Sequence, residues 1–151
     1  MNAGVPTAEA ELSELELAAW RGVLRLHAAV VRELDAELEA RHRLPLTSYE
    51  VLKGLRKAPG GRLRMAELAE HVLLSRSGMT RLIDRLEREG YVTRSVCDKD
   101  GRGCYAVLTE AGADVVDRAR ATHIAVVRAR FLRHFTEAEL RDLGTLLTRA
   151  L

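Results

Sequence analysis

The chain has 151 residues, 47% of them apolar and 30% charged, and a net charge of only +2. That is the length and balance of a single domain able to bury a core of its own, which excludes a low-complexity or disordered polymer. No uncharged stretch exceeds eight residues, whereas a membrane-crossing helix needs roughly 20 apolar ones, and no basic-then-apolar leader is visible at the start.

Charge is spread unevenly. Residues 1–45 carry −3, residues 46–59 carry +2, residues 60–104 carry +2 and residues 105–151 carry +1. A positive middle beside an acidic arm is compatible with a polyanion partner, although so small an excess is common on protein surfaces. Two cysteines make no disulfide framework and point to a reducing compartment, the cytoplasm.

In chain order, residues 11–41 read as one long helix. Leu12, Leu15, Trp20, Val23, Leu24, His27, Val30, Val31, Leu34 and Leu38 recur at steps of three and four. Ser13 with Glu16 forms a capping box near its start, and Pro45 is expected to end any continuation. Thr47 with Glu50 reads as a second capping box, opening a short helix through Val51, Leu52 and Leu55 that Pro59, Gly60 and Gly61 close. An extended piece follows at residues 62–65.

Residues 65–72 predict a helix with Leu68, Ala69 and Val72 inward, and residues 73–75 a turn. Residues 76–89 predict a further helix with Met79, Leu82, Ile83 and Leu86 on one face, stopped by Gly90 in a left-handed conformation. Residues 91–97 and 103–109 read as two strands around a turn at residues 98–102. A long helix then starts at Thr109 or Glu110 and is expected to carry its apolar face as far as Phe131 and Phe135. Thr136 with Glu139 is a third capping box, opening a last helix through Leu140, Leu143, Leu146, Leu147 and Leu151.

The central pair of short helices fits a DNA-reading unit. Arg76, Ser77, Gly78, Thr80, Arg81, Asp84, Arg85 and Arg88 lie off the apolar stripe, so the second helix has one buried and one polar face. An exposed helix of this kind enters the major groove with its first turns against base edges. Its free N–H groups and dipole also favour phosphate. Ser75 opens the helix, Gly78 permits close backbone approach, and Arg, Ser and Thr supply donors for phosphates and guanine edges. In the hairpin that follows, Lys99 and Arg102 sit at the tip, where a basic side chain reaches an adjacent minor groove.

From Met65 to Gly112 the sequence resembles the MarR family of winged-helix regulators. The matching stretches are AELA from Ala66, SRSGMTRLIDRLE from Ser75, GYVTR from Gly90, DGR from Asp100, VLT from Val107, and then Gly112. The resemblance implies a mainly α fold with a small β-wing, and a single domain over residues 1–151. Residues 46–109 are then the winged helix-turn-helix, and residues 11–45 and 110–151 the helices that interlock two copies across a two-fold axis. It also implies a repressor that binds an inverted-repeat operator in duplex DNA as a homodimer and lets go when a small aromatic or anionic effector binds. The terminal helices agree independently. Phe131, Phe135, Leu143, Leu146 and Leu147 exceed what a small winged domain can bury. Gly101 stands where the family often has a second basic wing residue, which implies a wing with one charge fewer.

The DNA-contacting residues expected on these grounds are Ser75, Arg76, Ser77, Gly78, Thr80, Arg81, Arg85, Lys99 and Arg102. Trp20 and His27, seven residues apart on one helix face, together with Tyr49, are candidates for an effector pocket; core and dimer packing is the alternative. Cys97 and Cys104 flank the wing loop and are read either as small strand residues or as a redox pair facing each other. No two histidines are three or four apart, no Cys-x-x-Cys pair occurs, and the Asp98, Asp100 start of a calcium loop fails at Thr109, so no metal or cofactor is expected. No nucleophile elbow, P-loop or dinucleotide fingerprint marks an enzyme. The competing class is a winged-helix module used only for protein contacts, which salt-dependent duplex binding separates.

Overall fold

The computed structural model describes residues 11–72, 74–96 and 104–151. Helix α1 spans Glu14–His42. Its expected capping box is formed: Ser13 Oγ accepts from the Glu16 N–H at 3.3 Å and the Glu16 carboxylate accepts from the Ser13 N–H at 2.8 Å. The helix ends at Arg43, which takes a left-handed conformation with φ 54°. Pro45 therefore does not stop α1. It is instead the N-cap of α2, Leu46–Lys57.

The second expected capping box is corrected here. Helix α2 begins before Thr47 and has no side-chain cap from its own sequence. Asp35 of α1 does that work across space, its Oδ1 accepting from the Leu46 N–H at 2.8 Å. Glu50 is left to pair with Lys53 at 2.5 Å.

A 3-10 turn at Pro59–Gly61 leads into β1, Arg62–Arg64, and then α3, Met65–Val72. Helix α4 spans Arg76–Arg88, and Gly90 stops it with φ 79° as expected. Strands β2, Val92–Val96, and β3, Cys104–Leu108, form the expected hairpin, and β1 pairs on the other side of β3. The sheet is antiparallel in the order β1-β3-β2, with Arg64 opposite Tyr105 and Val96 opposite Cys104. Cys97, the other member of the redox pair considered above, lies outside the described residues.

Helix α5, Glu110–Arg130, starts at the Thr109 cap. It stops short of Phe135 because the backbone turns at Phe131 into a 3-10 segment, Leu132–His134. The two phenyl rings meet edge-on across that turn, centroids 5.3 Å apart. Helix α6, Glu137–Ala150, opens on the expected Thr136–Glu139 capping box.

One core joins these elements. Leu38, Leu44, Val51, Leu52, Leu55, Leu68, Ile83, Leu86 and Ala106 are fully buried, and Val115, Val116 and Ala119 of α5 close it. Removing such apolar area from water is the main stabilising term. Polar ties hold α5 in place: Arg130 to Glu33 at 2.8 Å, His42 to Thr122 at 2.8 Å, and Arg56 to Asp117 at 3.1 Å. Among the described residues the result is six α-helices and a three-stranded sheet, the mainly α winged arrangement expected. Among the described residues no helix is long and apolar enough to cross a membrane.

Candidate nucleic-acid interface

Helix α4 is fixed at its start by its own sequence. Ser75 has extended backbone, and its Oγ accepts from the Gly78 N–H at 3.1 Å, satisfying one of the donors a helix leaves unpaired at its N-terminus. A Cβ at Gly78 would lie 3.1 Å from that same oxygen, so glycine keeps the cap uncrowded. Ser77 Oγ lies 3.2 Å from Ser75 Oγ. Met79, Leu82, Ile83 and Leu86 are buried, while Ser77, Thr80, Arg81 and Asp84 are exposed. The expected division into one buried and one outward face is therefore present. Arg76 opens the helix.

The outward face also holds carboxylates, which would repel phosphate. Arg94 of β2 answers them: its guanidinium donates to Asp84 and to Glu87, each at 2.5 Å. The Asp84 hydrogen bond is the largest of the influences that hold this guanidinium in its charged form. These bonds join the wing to α4 and compensate acidic charge beside the basic first turns. Sequence reasoning placed Arg94 in a motif but gave it no role, since its partners lie seven and ten residues back.

Arg85, expected among the groove-facing residues, is half-buried, with its side chain 39% exposed. Its Nη2 donates to the Ser48 Oγ of α2 at 2.6 Å. Lys99 and Arg102 lie outside the described residues. On the neighbouring sheet, the Arg62 and Arg64 guanidinium groups each sit 5.4 Å from the Tyr105 ring centroid, and Arg64 Nε donates to the Tyr105 hydroxyl at 3.1 Å. This basic pair was not anticipated; only the register of β1 on β3 brings it together.

The residues proposed for an effector pocket are not gathered within one chain. Trp20 is 57% exposed and His27 is exposed, whereas Tyr49 is buried. Tyr49 stacks instead on His123 of α5, ring centroids 4.8 Å apart, with the Lys53 ammonium 5.4 Å from its centroid. A cleft of about 390 Å³ opens beside this stack, lined by Tyr49, Lys53, Arg56, Arg120, His123 and Ile124 among others. Burial, then the charge of Lys53, pulls the His123 pKa below its ordinary value, against the opposing pull of Glu50 at 3.7 Å. Burial raises the Tyr49 phenol pKa, so the phenol stays neutral in neutral solution. Among the described residues no group of His, Cys, Asp and Glu is placed to hold a metal ion.

Residues 44–103 match the family model described as MarR family. The chain is also 31% identical over 106 residues to the HTH-type transcriptional repressor Mb2911 of Mycobacterium bovis, covering 70% of this chain and 74% of that protein. The chain belongs to the MarR family of transcriptional regulators. Solved members superimpose over nearly the whole length. AbsC from Streptomyces coelicolor is 31% identical with a TM-score of 0.88, covering 94% of this chain and 95% of that one. Sco3205 from the same organism, solved in complex with DNA, is 30% identical with a TM-score of 0.89, covering 95% and 90%. The family consists of regulators rather than enzymes, and its matched segment runs from Leu44 across α2, α3, α4 and β2. The matched segment therefore holds most of the positive excess, residues 46–59 and 60–104 carrying +2 each against +1 for residues 105–151.

Proposed function

We propose that this chain is a homodimeric repressor that binds an inverted-repeat operator in duplex DNA and releases it when a small aromatic or anionic effector binds. The observation that carries the reading is the outward face of α4. Ser75, Ser77, Thr80 and Arg81 are exposed at the start of a helix whose opposite face is buried, and Sco3205, a family member, was solved in complex with DNA. In this reading Arg76, Gly78 and these four residues enter a major groove, while Lys99 and Arg102 extend to the flanking minor groove. Residues 46–109 form the DNA-binding part. Residues 11–45 and 110–151 pair the two copies in the cytoplasm. Repression is supported by the name of the Mycobacterium bovis relative.

The cleft beside Tyr49 and His123 supports an anionic or aromatic effector, since Lys53, Arg56 and Arg120 line it. Such a ligand acts by shifting the population between two spacings of the recognition helices. Selection of bound duplexes from a random pool tests the first half. The expected product is a symmetrical site with half-sites one helical turn apart, roughly 34 Å, bound with an affinity that falls steeply with salt. Absence of enrichment overturns the reading. Release of the selected duplex by small aromatic acids tests the second half.

A further inference from the structure

We propose that Arg85 is a positioning residue that fastens the recognition helix to α2 through Ser48, rather than a reader of DNA. The proposal rests on the operator-binding reading above.

Ser48 is wholly buried, a polar side chain set among Val51, Leu52 and Leu55. A buried hydroxyl costs free energy unless it is hydrogen-bonded. Its partner is Arg85, whose Nη2 donates to Ser48 Oγ at 2.6 Å, a short bond assisted by the guanidinium charge. Arg85 Nε is buried too, with no hydrogen-bond partner among the described residues. Glu89 Oε1 lies 3.9 Å from that Nε, beyond hydrogen-bond reach. The inner half of the guanidinium is therefore committed to the protein. One of the two edges with which an arginine fork can meet guanine O6 and N7, the Nε–Nη2 edge, is thereby turned away from a groove.

Position in the helix agrees. Arg85 stands one turn beyond Arg81, toward the C-terminal end of α4, Arg76–Arg88, whereas recognition helices read bases with their first turns. From there the Ser48 bond links α4 to α2. The next residue of α2, Tyr49, stacks on His123 of α5. The tilt of the recognition helix is thus referred to the helix that also meets α5.

The test measures affinity for the selected operator across a salt series, using the full chain and the variants Ser48→Ala, Arg85→Gln and the double, with melting curves fixing the temperature at which all are folded. Freeing α4 from α2 means that it must be ordered on binding, at the cost of immobilising about one or two side chains, so Ser48→Ala is expected to weaken binding roughly two- to tenfold. Arg85→Gln is expected to weaken it by a similar factor, the double variant no further, and the salt slope to stay unchanged. A slope reduced by about one in Arg85→Gln, which signals a lost phosphate contact, overturns the proposal. So does operator affinity left intact by Ser48→Ala in the folded protein, which marks a merely structural bond. Should Arg85→Gln fail to fold, Arg85→Lys replaces it: a loss of affinity in the Ser48 background and none further in the Ser48→Ala background is the expected result, and equal losses in both overturn the proposal. Wild-type protein that binds no duplex sinks the operator reading itself, an outcome distinct from variants that bind as well as wild type.

Discussion

At Gly112 the chain has no room for a side chain. A Cβ built there collides with the Tyr91 carbonyl oxygen and lies 2.8 Å from Leu108 Cδ1. That carbonyl already accepts from the Thr109 N–H at 3.1 Å, so backbone on both sides is held and cannot yield. Gly112→Ala is therefore expected to destabilise the fold by about 2–3 kcal/mol, the upper range for overpacking. A melting curve checks it; an unchanged Tm means that the first turn of α5 shifts freely. Arg81 is the opposite kind of residue, exposed and outside the core, so Arg81→Ala should leave stability within about 0.5 kcal/mol. If it reads a base, the change costs about 1–3 kcal/mol of operator affinity and relaxes specificity at one position. Measuring the variant against every single-base change of the operator decides it, and a uniform loss over all of them reduces Arg81 to a phosphate contact.

At the scale of elements, what the sequence disclosed and what it hid follow from how far each interaction reaches along the chain. The boxes Ser13–Glu16 and Thr136–Glu139 span three residues, and Gly90 acts on its own turn, so all were legible. The cap on α2 was not, because Asp35 serves it from eleven residues away on another helix. Thr47 and Glu50 had the right spacing but stand inside the helix, Thr47 two residues past the N-cap Pro45. Periodicity likewise put Arg85 off the apolar stripe of α4, yet a long side chain can turn back to a partner 37 residues distant. Two predictions follow from helix ends and helix faces. Ser75→Ala removes the N-cap of α4 and should cost about 1 kcal/mol of stability, measurable by denaturant unfolding, with an unchanged midpoint contradicting it. His123, between α5 and α2, has its folded-state pKa lowered below 6.5 chiefly by burial. The unfolded chain then binds the proton more readily, so this contribution to stability is complete above pH 6.5 and is lost as pH falls toward the folded pKa. His123→Gln should flatten the dependence of unfolding free energy on pH below 6.5; an equally steep fall in the variant places the titration elsewhere.

The whole molecule presents more apolar surface than one copy can use. Leu15 is 81% exposed and Leu146 50%, α6 buries none of its residues, and Leu12, Val23, Leu24 and Leu147 are exposed as well. Monomeric proteins rarely leave so large an apolar area in water, and here it belongs to α1 with the residues just before it and to α6, outside the core that α2 to β3 build together with Leu38 of α1 and Val115, Val116 and Ala119 of α5. In the dimer proposed above, a second copy paired through these ends would bury that surface and set two α4 helices on one duplex. Joining two half-site contacts in one molecule multiplies affinity by roughly 10²–10⁴ over a single contact. Leu146→Glu places a charge where the partner helix would pack, and burying an unpaired carboxylate is far costlier than leaving the chains apart. The variant is expected to sediment as a monomer, to keep the helical circular dichroism of the wild type, and to lose operator affinity by that same factor of roughly 10²–10⁴. Its binding to an isolated half-site should match that of the wild-type protomer, because α4 and the wing are untouched. A Leu146→Glu protein that remains dimeric and binds the full operator undiminished would move the pairing surface away from α6.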